Sequence, residues 1–293
     1  MQKKYVKISV IMPLYNAAKY LRRAIDSIVK QTYPHVEIIV VDGGSVDGTQ
    51  EIVKEYGEKI AYFISEPDRG YGDALNKGLA VATGDYYIIL AGDDFFIPTG
   101  LERFANYINS HSDVDVWCGN MLVVKEKGIV TVFKRANTLE ELEHNKCMAH
   151  PATFFRIQTL VKLGGYDISY KIGCDLELIL RMYKMGCSFF LSDEKEIITV
   201  FECGGMSVKE DISDSFSMLK EISDTELIVA KHGGAKWRAR WFRIQDLFKK
   251  CIVRALKQSF TSVSSRKLLY RLNNQQPLSD EELRSYQVDT SII

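Results

Sequence analysis

The chain has 293 residues, 46% of them hydrophobic and 26% charged, with 38 basic residues matched by 38 acidic ones. This is the composition of a soluble globular protein, long enough for one large domain or a domain with an appendage, and its zero net charge gives no overall pull toward nucleic acid. Six scattered cysteines without a Cys-x-x-Cys pair suggest a reducing compartment, and neither a zinc site nor a disulfide framework. The N-terminal residues show no signal-peptide core, and no apolar stretch is long enough to span a bilayer. The expectation is a cytoplasmic protein whose membrane contact, if any, is peripheral.

Residues 7–12 read as a short apolar strand that Pro13 ends, with Tyr15-Asn16 as a turn. Leu21, Ala24, Ile25, Ile28 and Val29 recur at helical spacing within 17–30. Residues 36–41 are a second buried strand, running into Asp42-Gly43-Gly44-Ser45-Val46-Asp47-Gly48-Thr49. Asp47 suits the N-cap of a second helix whose first turn holds Gln50 and Glu51. A third strand is predicted at 60–64, and Asp68-Arg69-Gly70-Tyr71-Gly72-Asp73 opens a third helix at 74–82.

Thr83-Gly84-Asp85 breaks the chain before residues 86–90, an aromatic and branched run that reads as a buried strand. Ala91-Gly92 leaves room for something to approach the backbone. Asp93 and Asp94 follow at the carboxyl end of the strand, where open α/β sheets hold ligands. Two adjacent carboxylates repel, and a hard divalent cation such as Mg²⁺ or Mn²⁺ removes that cost, commonly together with substrate phosphates. The alternative is a solvated Asp-Asp turn. Strand–helix alternation at these lengths means right-handed crossovers and a parallel sheet. One rim of it then collects Asn16, Asp42 and Asp93-Asp94. Gly43-Gly44 can take positive φ and admit a ligand to the main chain, although the spacing is neither a dinucleotide fingerprint nor a phosphate loop. Asp42 reads equally as a turn carboxylate bonded to Gly44 and Ser45.

Downstream, residues 106–112 end a helix, 114–119 and 121–124 are strands, and 130–133 pairs with 121–124 as a hairpin. Residues 139–145 are charged and belong on the surface. His150 reads as a metal ligand, an acceptor contact or a packed residue. Asp175 precedes a helix with Leu176, Ile179, Leu180 and Tyr183 on one face, closed by Gly186, and is a preferred N-cap type. Glu177 is taken to lie off that face. The strand pattern stops at Val208, and 216–231 reads as helix. Within 236–257, Trp237, Trp241, Ile244, Phe248, Cys251 and Ala255 form an apolar stripe among eight basic residues. That pattern fits an anionic membrane surface, or a stripe packed on the domain. Residues 279–286 suit a short capped helix.

Several of these stretches carry a resemblance. Residues 8–16 (Ile-Ser-Val-Ile-Met-Pro-Leu-Tyr-Asn), Gln31-Thr32-Tyr33, 40–49, 73–78 (Asp-Ala-Leu-Asn-Lys-Gly), Ala82-Thr83-Gly84-Asp85 and Gly92-Asp93-Asp94 resemble family 2 glycosyltransferases of the GT-A type. The likeness resumes at 150–155, 164–167, 174–178 and 201–207, blocks similar to the colanic-acid-like branch that builds bacterial surface polysaccharides. Where many members carry aspartate, Gly43 and Ala91 stand here, which leaves metal binding to Asp93 and Asp94.

The resemblance implies an α/β fold with a GT-A, Rossmann-like, mostly parallel sheet flanked by helices. The domain would cover 1–207, with a nucleotide-sugar half at 1–98 and an acceptor half at 99–207, followed by a helical extension at 208–293. It implies an inverting hexosyl- or N-acetylhexosaminyltransferase. The donor, a nucleotide-diphosphate sugar, would be held by Pro13, Tyr15, Asn16, Asp42, Gly44, Ser45, Asp73, Asn76, Lys77 and Asp93. Mg²⁺ or Mn²⁺ would sit on Asp93 and Asp94, with Asp175 as base and Glu177 as the second candidate. The acceptor would be a sugar or lipid-linked sugar, met in the cytoplasm at the inner face of the plasma membrane through 236–257, with no nucleic acid involved. The rival from another class is a non-catalytic nucleotide-sugar-binding or assembly protein, for which Gly43 and Ala91 speak.

Overall fold

The computed structural model describes residues 5–125, 129–133, 135, 136, 138, 141, 148–202, 227, 228, 231, 232 and 277–288. The first half is regular: β1 (Ile8–Leu14), α1 (Ala18–Val29), β2 (Val36–Asp42), α2 (Thr49–Glu55), β3 (Tyr62–Ser65), α3 (Tyr71–Val81) and β4 (Tyr86–Ile89). There follow β5 (Phe95–Phe96), α4 (Gly100–Ser110), β6 (Val116–Cys118), β7 (Asn120–Lys125), β8 (Ile129–Val132), β9 (Thr153–Arg156), α5 (Ile157–Lys162), α6 (Cys174–Lys184), β10 (Phe189–Leu191), β11 (Ile197–Glu202) and α7 (Asp280–Ser285).

The main sheet has the order β10-β6-β9-β4-β1-β2-β3. It is parallel except for β9, which runs antiparallel to both β4 and β6. Because helices cover both faces, the central strands are mostly apolar, with Ser9, Glu37 and Asp42 as buried polar exceptions near their ends. Ile8, Val10, Met12 and Leu14 of β1 point into a core with α1 and α4, while Ile11 joins the opposite core with α3 and α6. Each such side chain contributes about 1.5–3 kcal/mol on burial. A second sheet, β5-β11-β7-β8, contains the predicted hairpin, with Leu122 opposite Val132. α7 starts with a capping box between Ser279 and Glu282, and its Leu283 joins Leu122, Val130 and Val200 beneath this sheet. Leu278 N also donates to Val130 O at 2.8 Å.

Several predicted details differ. Pro13 does not end β1 but lies inside it, opposite Val41. Ile8 N donates toward β2, to His35 O, and Ile11 O accepts from Leu90 N on the β4 side, so position 13 faces β4. The β4 pairing has already stopped at Ile11–Ile89, and no ladder bond is lost to the missing N–H. Gly48, at φ 96°, occupies the N-cap of α2, and Asp47 accepts from Thr49 N from one position further out. β3 begins two residues late and α3 three residues early. The 236–257 helix, the 125–128 turn beyond Lys125, and nearly all of 139–145 and 216–231 lie outside the described residues.

Candidate active site at the carboxyl rim of the sheet

The loops after β1 and β2 are laced together. Asp42 is fully buried. Its Oδ2 accepts from Gly44 N (3.2 Å), Ser45 N (2.9 Å) and Ser65 Oγ (2.6 Å), while Ser45 Oγ bonds Oδ1. Gly44 supplies the φ of 87° that lets the chain turn back on this carboxylate. Asn16 N donates to Ser45 Oγ at 2.7 Å, and Val46 N to Asn16 Oδ1 at 3.1 Å. Asn16 sits at φ 49°, a conformation that asparagine tolerates. The Asp42 carboxylate thus organises the loop, as the turn reading has it. Tyr15 stands 59% exposed at the loop's mouth. A Cβ at Gly43 would come 2.7 Å from Asp68 Oδ2 and 3.4 Å from the Tyr15 ring, so the Asp68 carboxylate occupies the space that a side chain at 43 would need.

Asp73 accepts from Arg69 N (3.1 Å) and Arg69 Nη2 (2.9 Å), and Lys77 reaches Glu66 at 2.8 Å and Pro67 O at 3.1 Å. These two α3 residues fasten the 66–70 loop beside the rim. Asn76 turns the other way. Its amide bonds both Tyr166 N (2.8 Å) and Tyr166 O (2.9 Å), strapping α3 to the loop before α6.

Gly92 is close-packed from within: a Cβ there would meet Ala17 Cβ at 2.6 Å. The room expected beside Ala91-Gly92 is filled by the chain's own first helix segment. Asp94 has no exposed surface. Glu202 N donates to its Oδ1 at 3.1 Å, and its Oδ2 is buried without a hydrogen-bond partner among the described residues. Burial, then the neighbouring Asp93, pushes the Asp94 carboxyl well above the ordinary range, and burial raises Asp93 as well. Arg23 Nη2 donates to Asp93 O at 2.7 Å and pairs with Glu202, its guanidinium lying 4.6 Å from the centre of the Phe95 ring. A buried carboxylate oxygen without a donor is costly. Two adjacent carboxylates with such an oxygen suit a hard divalent cation with oxygen ligands.

Asp175 is half-buried in the first turn of α6, and Gly173 (φ 81°), not Asp175, takes the N-cap position. Burial, then Asp175, and further on Asp94, raise the Tyr71 phenol well above its usual value. Glu177 does not lie off the buried face, for it has no exposed surface. His150 is packed: its Nε2 lies 2.9 Å from Tyr166 Oη, and burial lowers its pKa, keeping the ring neutral. Arg23, Tyr71, Asp68 and Glu202 escaped the sequence reading. Arg23 sits on a helix whose apolar stripe dominates the pattern, and Glu202 comes to Asp94 through pairing between β5 and β11, a long-range event.

Known proteins share this fold. The family model described as Glycosyl transferase family 2 matches residues 9–160, more than half of the chain. An uncharacterized glycosyltransferase of Rickettsia typhi is 35% identical over 201 residues, covering 62% of this chain and 60% of the relative's length. Among solved structures, S. aureus TarS 1–349 in complex with UDP-GlcNAc superposes with a TM-score of 0.62 at 22% identity, covering 76% of this chain and 65% of that one. The mannosyltransferase PcManGT from Pyrobaculum calidifontis in complex with GDP-Man and Mn²⁺ gives 0.59 at 18% identity, over 99% and 87%. The mostly parallel sheet flanked by helices is the GT-A fold, and the chain belongs to glycosyltransferase family 2.

Proposed function

We propose that the protein is a metal-dependent, inverting glycosyltransferase that moves a hexosyl or N-acetylhexosaminyl group from a nucleotide-diphosphate sugar to a hydroxyl of a sugar or lipid-linked sugar. The buried Asp94 Oδ2 beside Asp93, without a hydrogen-bond partner among the described residues and on the rim that also carries the Asp42 loop, carries this reading. Asp93 and Asp94 would hold Mg²⁺ or Mn²⁺, which supplies Lewis-acid stabilisation of the leaving diphosphate when bound. The loop that Asp42 ties to Ser45 and Asn16 presents backbone and the exposed Tyr15 ring to the nucleotide, and Asp73 and Lys77 fasten the 66–70 loop beside it. Asp175 accepts the proton of the attacking hydroxyl as that oxygen bonds the anomeric carbon and the bond to the diphosphate breaks. A single displacement inverts the centre. General-base help of this kind is worth roughly 10²–10⁴ in rate. Synthesis of a bacterial surface polysaccharide, on the cytoplasmic face of the membrane, is the setting that the family resemblance favours.

The test is nucleotide release from UDP-GlcNAc and from GDP-Man by the full chain, with Mn²⁺ or with chelator. Turnover of one donor with Mn²⁺ and its loss with chelator is the expected result. Equal turnover with chelator removes the metal from the scheme. Binding of a donor without any turnover, with or without oligosaccharide acceptors, favours a non-catalytic binding protein.

A further inference from the structure

The chemistry above leaves Glu177 unused, yet this is one of the most heavily contacted carboxylates of the molecule. It lies in the first turn of α6, two residues after Asp175, with no exposed surface. Arg181 Nη2 reaches it at 3.0 Å, Lys231 Nζ at 3.1 Å and His232 Nε2 at 3.3 Å. The same cations reach outward. Arg181 donates to the carbonyls of Leu163 and Gly165, the second at 2.6 Å, and Lys231 pairs with Asp167 at 3.0 Å. Three segments are therefore tied through one buried carboxylate and its partners: α6, the 163–167 loop shortly before it, and Lys231-His232 more than fifty positions on. Ile228, fully buried, adds an apolar contact, with its Cδ1 3.2 Å from where a Cβ on the cap residue Gly173 would stand.

A helix pair of the i,i+4 kind needs no such hub. Removing the charge of a buried, multiply paired carboxylate leaves its cations facing each other without compensation, and the segments they tether must shift. Asp175 shares the turn that would move. Misplacement of a reacting group by about 1 Å can cost about 10²-fold in rate.

We propose that Glu177 is a positioning residue for Asp175, and that Lys231 and His232, remote in sequence, are working parts of the site because they close this hub at the start of α6. The proposal rests on Asp175 being the base.

The experiment uses the full chain and nucleotide release from whichever of UDP-GlcNAc and GDP-Man it turns over. Glu177→Gln is expected to lower kcat about tenfold or more, with the donor KM changed less than about twofold. Added to Asp175→Asn, it is expected to lower kcat no further, since both changes act through one group. Lys231→Gln, at a side chain 44% exposed and tolerant of substitution, is expected to act in the same direction by a smaller factor, and it carries the test if melting curves show Glu177→Gln unfolded. Losses that multiply in the double variant, or wild-type turnover by a folded Glu177→Gln or by Lys231→Gln, overturn the proposal and leave the base reading standing. Full turnover by Asp175→Asn alone sinks the base reading, and this inference with it.

Discussion

Asp42 and Asp94 are both fully buried carboxylates on one rim, and their surroundings give them opposite tasks. Asp42 accepts four hydrogen bonds from its own and the neighbouring loop, so its charge is compensated inside the protein. Among the described residues Asp94 accepts one, from Glu202 N, and keeps an oxygen without a donor. The consequence is testable in Asp94→Asn. The amide removes a buried charge, so in chelator the variant is expected to melt no lower than the wild-type protein. Wild-type protein is expected to gain stability from nucleoside diphosphate with Mn²⁺ by mass action, and the variant to lose most of that gain. A melting shift by Mn²⁺ and UDP or GDP that is the same in both proteins would show that Asp94 does not hold the cation.

At the scale of elements, the amino-terminal edge of the sheet is held by a second buried carboxylate. Glu37 of β2 accepts from Ser9 Oγ (2.6 Å), Thr83 N (2.7 Å) and Thr83 Oγ1 (2.6 Å), and pairs with Lys7 at 2.5 Å. Burial works against its charge, but these donors prevail and bring its pKa down from 4.5 to about 2. A carboxylate whose folded pKa is depressed stabilises the fold above its unfolded pKa, and that contribution fades as pH falls from about 4.5 toward about 2. Allowing for the half-exposed Lys7, the charge is worth about 2–3 kcal/mol at neutral pH. Glu37→Gln is therefore expected to be less stable than wild type at pH 7, with the gap shrinking by pH 3. Chemical denaturation at both pH values measures it, and a gap that stays constant would mean that the charge is not what holds Thr83 to β2.

At the scale of the molecule, the chain folds back on itself. α7 covers the second sheet through Leu283, and Lys231 and His232 reach α6, so these described parts of the carboxyl-terminal region pack on the sheet-and-helix domain. No helix among the described residues is long and apolar enough to cross a membrane. In the sequence, residues 236–257, which lie outside the described residues, stand between those two pieces and hold Trp237 and Trp241 among eight basic residues. We hypothesise reversible binding to anionic vesicles. Each basic residue near such a surface adds about 1 kcal/mol, screened by salt. Flotation with phosphatidylglycerol vesicles at low salt, lost at high salt, together with a change in tryptophan fluorescence, is the expected outcome. Failure to float at low salt would leave the stripe as packing against the domain.

The sequence by itself determined the first hundred residues well. Apolar runs buried on both faces, and helices with one apolar stripe, are set by periodicity, a local property, and the rim residues Asn16, Asp42, Asp93 and Asp94 follow from where those runs stop. Tertiary structure decided the rest. That Pro13 stays inside β1 depends on β4 ending first, that β9 enters the sheet antiparallel depends on pairing between strands far apart in the chain, and that Gly92 is filled by Ala17 depends on how α1 docks. Glu177 shows the limit most clearly. Its own helix offered one partner, Arg181, and the residues that make it a hub, Lys231 and His232, lie more than fifty positions away, brought in by folding and by no pattern that a sequence displays.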